Sequence, residues 1–273
     1  MQYDPIKRQL GNVFNRTPFL RKLFYRMLDL LLLRTWHVKR ELKNHTSQLK
    51  NAAVLDAGSG FGQYDYYMAR KHPDWKITGL DVKTEQIADC NQFFDRIGFK
   101  NVHFEEADLT KINYDQQFEL VVCVDVMEHI EEDELVLQNY FNALKSGGML
   151  LISTPSDQGG SDVHEHDHQA EGVQGFIDEH VRDGYNIGDL EAKLKRAGFQ
   201  KTSLRYQYGK PGKISWRLSM KYPILMLNAS KLFFILLPFY YVLVFPIALV
   251  LNKMDVCRKH STGTGLIALA WKQ

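Results

Sequence analysis

Short apolar runs that end in an acid or a small residue alternate with amphipathic stretches through the middle of the chain. Runs at 54–56, 75–81, 102–108, 118–125 and 149–153 have strand character, and 63–71, 84–97, 132–145 and 186–197 have helical periodicity. Strict alternation of this kind predicts an α/β fold with a parallel sheet covered by helices. The run 118–125 is apolar at nearly every position, as expected of a central parallel strand buried on both faces. Two later runs, 199–208 and 265–272, add a sixth and a seventh strand.

The first strand leads into Asp56-Ala57-Gly58-Ser59-Gly60-Phe61-Gly62 and then a helix. Glycines at such a turn let the backbone bend sharply and approach a ligand, and the helix N-terminus adds free N–H groups. A dinucleotide fingerprint needs glycine at position 63, where this chain has Gln63. The D-x-G-x-G-x-G spacing is followed by acids at Asp81 and Asp108, the segment Val126-Met127-Glu128-His129-Ile130, and the ending Ala197-Gly198-Phe199. Together these resemble the class I S-adenosylmethionine-dependent methyltransferases over about residues 50–209 plus the final ten.

That resemblance implies a Rossmann-like seven-stranded class I methyltransferase sheet, six strands parallel and the last antiparallel, with S-adenosyl-L-methionine as cofactor. It assigns the amino-acid end of the cofactor to Asp56, Gly58, Gly60 and Gly62. Asp81, beside Val82, would accept the ribose hydroxyls, although it is equally placed to cap the next helix. Asp108, with Ala107 and Leu109, would face the adenine, and Val124 ends the strand beside it.

Charge divides the chain. Residues 1–50 carry +8 and residues 210–260 carry +7, whereas 51–209 carry −14. Basic ends suit nucleic acid, an acidic partner or an anionic membrane surface. Residues 232–251 decide for the membrane, being twenty in a row without a charge. A single crossing would strand the last β-strand across the bilayer, and Pro223, Pro238 and Pro246 interrupt a continuous helix. The expectation is therefore an insertion of broken helices at 211–262 that dips into one leaflet, with Trp216, Tyr222, Tyr240 and Tyr241 at the interface. A buried core hairpin and a dimer interface are the alternatives. The division expected is a cap at 1–50, a core at 51–210, the insertion at 211–262 and the last strand at 263–273.

In the cap, Leu20, Leu23, Phe24, Met27, Leu28 and Leu31 recur at helical spacing after Thr17-Pro18, with Arg21, Lys22 and Arg26 on other faces. Such a helix can cap the substrate pocket, touch the membrane, or pack on the core. Cys90, Cys123 and Cys257 are too scattered for a disulfide framework or a zinc site, and no metal is expected. The N-terminus lacks a signal-peptide layout, so the expected location is the cytoplasmic face of the membrane.

Methyl transfer is an in-line displacement, so the protein chiefly orients the acceptor and excludes water. An acceptor hydroxyl must also lose a proton, for which His164, His180 and His129 are candidates, in that order. Arg182 and Tyr185 are candidates for substrate binding. The expected acceptor is a lipophilic quinone-, phenol- or isoprenoid-like molecule. A phospholipid amine, or a scaffold that binds membranes without chemistry, is the alternative. Nucleic acid is disfavoured, because Asp125-Val126-Met127-Glu128 stands where a base-gripping Pro-Pro-aromatic motif would be.

Overall fold

The computed structural model describes residues 17–159, 181–230 and 232–273. Two helices, α1 (Pro18–Leu31) and α2 (Leu33–Thr46), precede the sheet. Then come β1 (Ala53–Ala57), α3 (Gln63–Lys71), β2 (Lys76–Asp81), α4 (Thr84–Arg96), β3 (Val102–Glu106), β4 (Phe118–Val124), α5 (Asp133–Ala143) and β5 (Leu144–Pro155). After β5 follow α6 (Ile187–Arg196), β6 (Lys201–Gln207), α7 (Lys210–Trp216), α8 (Tyr222–Ala229), α9 (Phe233–Cys257) and β7 (Gly265–Trp271). The strand order is β3-β2-β1-β4-β5-β7-β6 in one seven-stranded sheet. Strands β1 to β5 pair in parallel, and β7 runs antiparallel to both neighbours, as expected.

Apolar side chains fill both faces of the sheet. One face centres on Leu55, Val121, Cys123 and Ile152 under α5 and α6, and the other on Val54, Leu120, Val122 and Leu151 under α3 and α4. Chain order reverses between β1 and β4, so their carboxyl ends open a crevice where ligands bind in such sheets.

Helix α1 docks by a polar residue rather than by its leucines. Arg21 is only 2% exposed, whereas Leu23 and Met27 are exposed. The Arg21 guanidinium donates to the Phe61 carbonyl at 2.9 Å, Asp89 at 2.5 Å and Tyr25 Oη at 2.8 Å, and it lies 4.5 Å over the Phe93 ring. Tyr25 Oη also donates to the Phe61 carbonyl. A buried guanidinium with several partners is tolerated, and here it ties the cap to the back of the glycine turn. Helix α1 therefore packs on the core, with its apolar residues Phe19, Leu23, Met27 and Leu30 turned outward.

The insertion is a helical hairpin whose second limb is continuous, contrary to the broken helices expected. Helix α9 runs through both Pro238 and Pro246. Each proline removes one helical bond, at the carbonyls four residues earlier, Phe234 and Val242. The first limb contains a π-helical segment, Arg217–Lys221, directly before Pro223. The Tyr222 N–H bonds Arg217, and Pro223 has no N–H to offer, so the Leu218 and Ser219 carbonyls lose their helical donors. Tyr240 Oη at 2.7 Å and Tyr241 Oη at 2.8 Å supply them from the second limb. Those tyrosines therefore staple the two limbs together rather than reaching outward.

Asp255 fixes the base of the hairpin. Fully buried, it accepts from the backbone N–H groups of Tyr208 (3.2 Å) and Gly212 (2.9 Å) and bonds His37 Nε2 (2.9 Å), with His260 Nε2 at 3.2 Å. Burial holds the His37 imidazole below its ordinary pKa. Cap, hairpin and sheet edge thus meet at one carboxylate.

Candidate active site

The glycine turn follows from local stereochemistry. Gly58, Gly60 and Gly62 all have positive φ, the region that penalises side chains. A Cβ on Gly58 would lie 2.2 Å from Val126 Cγ2, and one on Gly62 would press on Phe94 and Phe104. At Gly60 a Cβ would meet nothing within 4 Å, so that residue fronts open space. The N–H groups of Gly58 and Ser59 both bond the Leu80 carbonyl at 2.8 Å, binding the turn to the end of β2.

Asp81 locks the same turn from below. One oxygen accepts the Gly60 N–H at 3.1 Å, and the other accepts the Lys83 N–H at 3.0 Å, at the N-cap of α4. The carboxylate is half-buried, and the N-cap of α4 is Lys83 rather than Asp81. The side chain of Val82 beside it is exposed. Asp108 lies at the end of β3, accepting from the Thr110 N–H and hydroxyl at 3.0 and 2.7 Å and pairing with Lys111 at 2.9 Å. These bonds, Thr110 first, hold it at about 2, so it is an anion at neutral pH. Ala107 donates its N–H to the Asp81 carbonyl at 3.0 Å, Leu109 is buried, and Val124 is half-buried at the end of β4.

Beneath the turn lie two buried acids. Asp56 is 1% and Asp65 0% exposed. As two carboxylates they would leave Asp56 Oδ2 and both Asp65 oxygens without partners. Burial raises Asp56 to about 7 and, with the Asp56 charge, pushes Asp65 well above its ordinary value. The pair therefore retains protons and bonds within itself. A crevice with an open glycine loop, a half-buried acid at β2 and an acid at β3 fits an adenosyl cofactor with a charged amino-acid end.

Across the crevice, Asp125 follows β4 with φ +52°, an unusual value for a residue other than glycine. It pairs with Arg34 from α2, whose backbone N–H donates to Tyr208 Oη at 3.0 Å. Glu128, buried, accepts from Thr154 Oγ1 at 3.0 Å, and burial raises its pKa. His129 ends the short turn Met127–His129 beside it and is half-buried. Arg34, Asp125, Glu128 and Tyr208 were not singled out from sequence as site residues. Arg34 and Tyr208 lie far from the motifs along the chain, and only folding brings them to β4.

Two expected substrate contacts have other work. The Arg182 guanidinium donates to the carbonyls of Met127 (2.8 Å), Ile130 (2.7 Å) and Glu131 (3.2 Å), and lies 3.3 Å from Asp133. Tyr185, 2% exposed, donates to Asp133 at 2.7 Å. Both brace the β4–α5 turn, where the Met127 carbonyl accepts from Arg182, from Tyr185 Oη at 3.2 Å and from the Ile130 N–H at 3.3 Å. His164 and His180 lie outside the described residues, and among the described residues no cluster suited to a metal ion occurs.

Strand order, glycine turn and flanking acids define a class I methyltransferase fold with its cofactor crevice at the β1/β4 switch point. Residues 48–197 match the family model described as a methyltransferase domain, and the chain belongs to that family. Maize phosphoethanolamine N-methyltransferase 1 is 33% identical over 151 residues, 54% of this chain and 28% of the relative. Ubiquinone biosynthesis O-methyltransferase of Rickettsia felis is 23% identical over 45% of this chain and 49% of its own length. The chain thus spans less than a third of the plant relative and about half of the bacterial one. Phosphoethanolamine N-methyltransferase 2 of Haemonchus contortus, solved with S-adenosyl-L-methionine, superposes with a TM-score of 0.62 at 16% identity, over 96% of this chain and 60% of that one. The likeness to that structure is one of fold.

Proposed function

We propose that this methyltransferase moves the methyl group of S-adenosylmethionine to a lipophilic small molecule at a membrane surface, with oxygen as the acceptor atom. The single observation that carries the reading is one body joining an open glycine turn locked by Asp81 to a hairpin with an exposed apolar face. Asp56, Gly58, Gly60 and Gly62 would seat the amino-acid end of the cofactor, Asp81 with Val82 the ribose, and Ala107, Asp108 and Leu109 the adenine, with Val124 closing the crevice. Bound there, the cofactor supplies an electrophilic methyl on a sulfonium.

The chain's own part is to orient the acceptor and keep water away. His129 sits at the carboxyl edge of β4, where an acceptor hydroxyl would lose its proton, and Glu128 lies next to it in the chain. His164 and His180 are kept as proposals for the same step. A second reading, methylation of a lipid-related amine, draws support from the phosphoethanolamine N-methyltransferase relatives. The location proposed is the cytoplasmic face of a membrane.

Incubating the protein with methyl-labelled S-adenosylmethionine and either a lipid extract or phosphoethanolamine tests this. Label should appear in the organic phase, on a species 14 daltons heavier than its precursor, and fall at least tenfold with Asp81→Ala. Label in phosphoethanolamine alone would favour the second reading, and label in neither would refute both.

A further inference from the structure

The hairpin is inside out for a water-soluble element. Polar groups line the seam between its limbs: Ser215 Oγ donates to Asn252 Oδ1 at 2.6 Å, and the Tyr240 and Tyr241 hydroxyls point inward to backbone carbonyls. Apolar groups cover the outside. Leu232, Ile235, Phe239, Val242 and Leu243 are each between 68% and 74% exposed, and only 6% of the most apolar window of α9 is buried. An amphipathic hairpin built for water shows the opposite arrangement. A hydrocarbon solvent favours this one, since buried polar groups bond each other and lipid meets the apolar face.

Connectivity settles how such an element can meet a bilayer. The hairpin leaves the sheet after Gln207 and returns at Gly265, and these two residues are register partners in adjacent strands. Entry and exit are therefore on one side. Its base is held in the protein, where Gly212 and Asp255 are buried, and Ser215, Ala248 and Asn252 are buried just above in the seam between the limbs. From Leu232 to Ile247 the free part of α9 rises roughly 23 Å at 1.5 Å per residue. One leaflet, half of a bilayer about 40–45 Å thick with headgroups, is about 20–22 Å deep.

Charge agrees with depth. Arg217 and Lys221 stand partway up the first limb, beside the carbonyls that Tyr240 and Tyr241 reach, while Lys210, Lys213, Lys253, Arg258 and Lys259 lie at the base of the hairpin. Lysine and arginine at this level suit anionic headgroups. Between Lys221 and Lys253 only Lys231 is charged. One such side chain costs about what burying one or two leucines returns, against many apolar side chains here.

We infer that the hairpin enters a single leaflet of an anionic lipid bilayer from the side on which the catalytic body sits, with its basic base among the headgroup phosphates. The inference deepens the membrane-surface reading proposed above and rests on it. A second copy of the chain is the competing occupant, but pairing these limbs would bring their basic residues together.

The test uses the full chain and vesicles of phosphatidylcholine with and without one quarter phosphatidylglycerol. The protein should float with vesicles, more strongly with the anionic lipid. Phe239→Glu/Val242→Glu, on the exposed face, should reduce the bound fraction at least tenfold while S-adenosylhomocysteine binding is kept. In a Cys257→Ser background, a fluorophore on Phe239→Cys should be quenched by lipids brominated near the chain ends. Flotation unaffected by the double glutamate variant would overturn the proposal. Binding to vesicles with quenching only from headgroup probes would overturn insertion while leaving surface attachment. A detergent-free dimer that dissociates on the glutamate substitutions and ignores vesicles would assign the face to a second copy instead.

Discussion

Replacing Asp65 with asparagine should change how the stability of this protein depends on pH more than it changes the stability itself. Asp56 and Asp65 are buried together beneath the glycine turn, both with pKa values raised above 3.8. In the unfolded chain both release their protons near 4, whereas in the folded protein Asp56 holds its proton to about 7 and burial raises Asp65 in the same direction. An acid raised in the folded state makes the folded state bind more protons, so stability falls as pH rises through this window. Asp56 alone gives a slope that approaches about 1.36 kcal/mol per pH unit between pH 5 and 6.5, and Asp65 adds to it in the same sense. Asp65→Asn removes the Asp65 contribution, and its amide can still donate to Asp56, so the slope should fall. His37, lowered by burial, acts in the opposite sense below 6.5, but equally in both proteins. Urea unfolding at pH 5, 5.75 and 6.5, followed by circular dichroism, measures the difference in slopes. Equal slopes, or a steeper one in the variant, would refute the shared-proton account.

Other perturbations probe separate joints. Gly58→Ala should cost about 2–4 kcal/mol and abolish tight S-adenosylmethionine binding, because it combines φ +87° with a Cβ 2.2 Å from Val126; thermal unfolding and calorimetric titration would show both. Arg21→Met should cost about 3 kcal/mol by removing the buried guanidinium that bonds Asp89, Tyr25 and the Phe61 carbonyl, and it should weaken cofactor binding although Arg21 contacts the turn from behind. Asp255→Ala, which strands His37 and the N–H groups of Tyr208 and Gly212, should speed hydrogen exchange at the hairpin base while leaving β1 to β4 protected.

How far the chain could be understood without its structure depended on the range of the interactions involved. The parallel strands, the glycine turn and the acid that ends β2 are local patterns with a fixed relation between sequence and geometry, so they were legible, whereas the antiparallel direction of β7 followed only from the resemblance to the family. Arg21 was not. Its helical period placed it on a polar face, and its burial depends on a carbonyl at Phe61, 40 residues away. Continuity of α9 through Pro238 and Pro246 was missed for a related reason: the proline rule weighs one lost bond, not the neighbouring limb packed alongside. Asp65 stands in the first turn of a helix, where an acid is ordinarily favoured, and nothing local marks its burial against Asp56, which gives it another character. Arg182 had the right chemistry for an acidic substrate group, but the carbonyls of the β4–α5 turn are closer.

Calorimetric titration of S-adenosylmethionine into the intact protein and into Asp81→Ala tests the central claim most directly. Saturable one-to-one binding, weakened at least tenfold by the substitution while the fold is kept, is the result predicted from the carboxylate that holds Gly60 and faces the crevice. Absence of binding to the intact protein, or equal affinity in the variant, would contradict it.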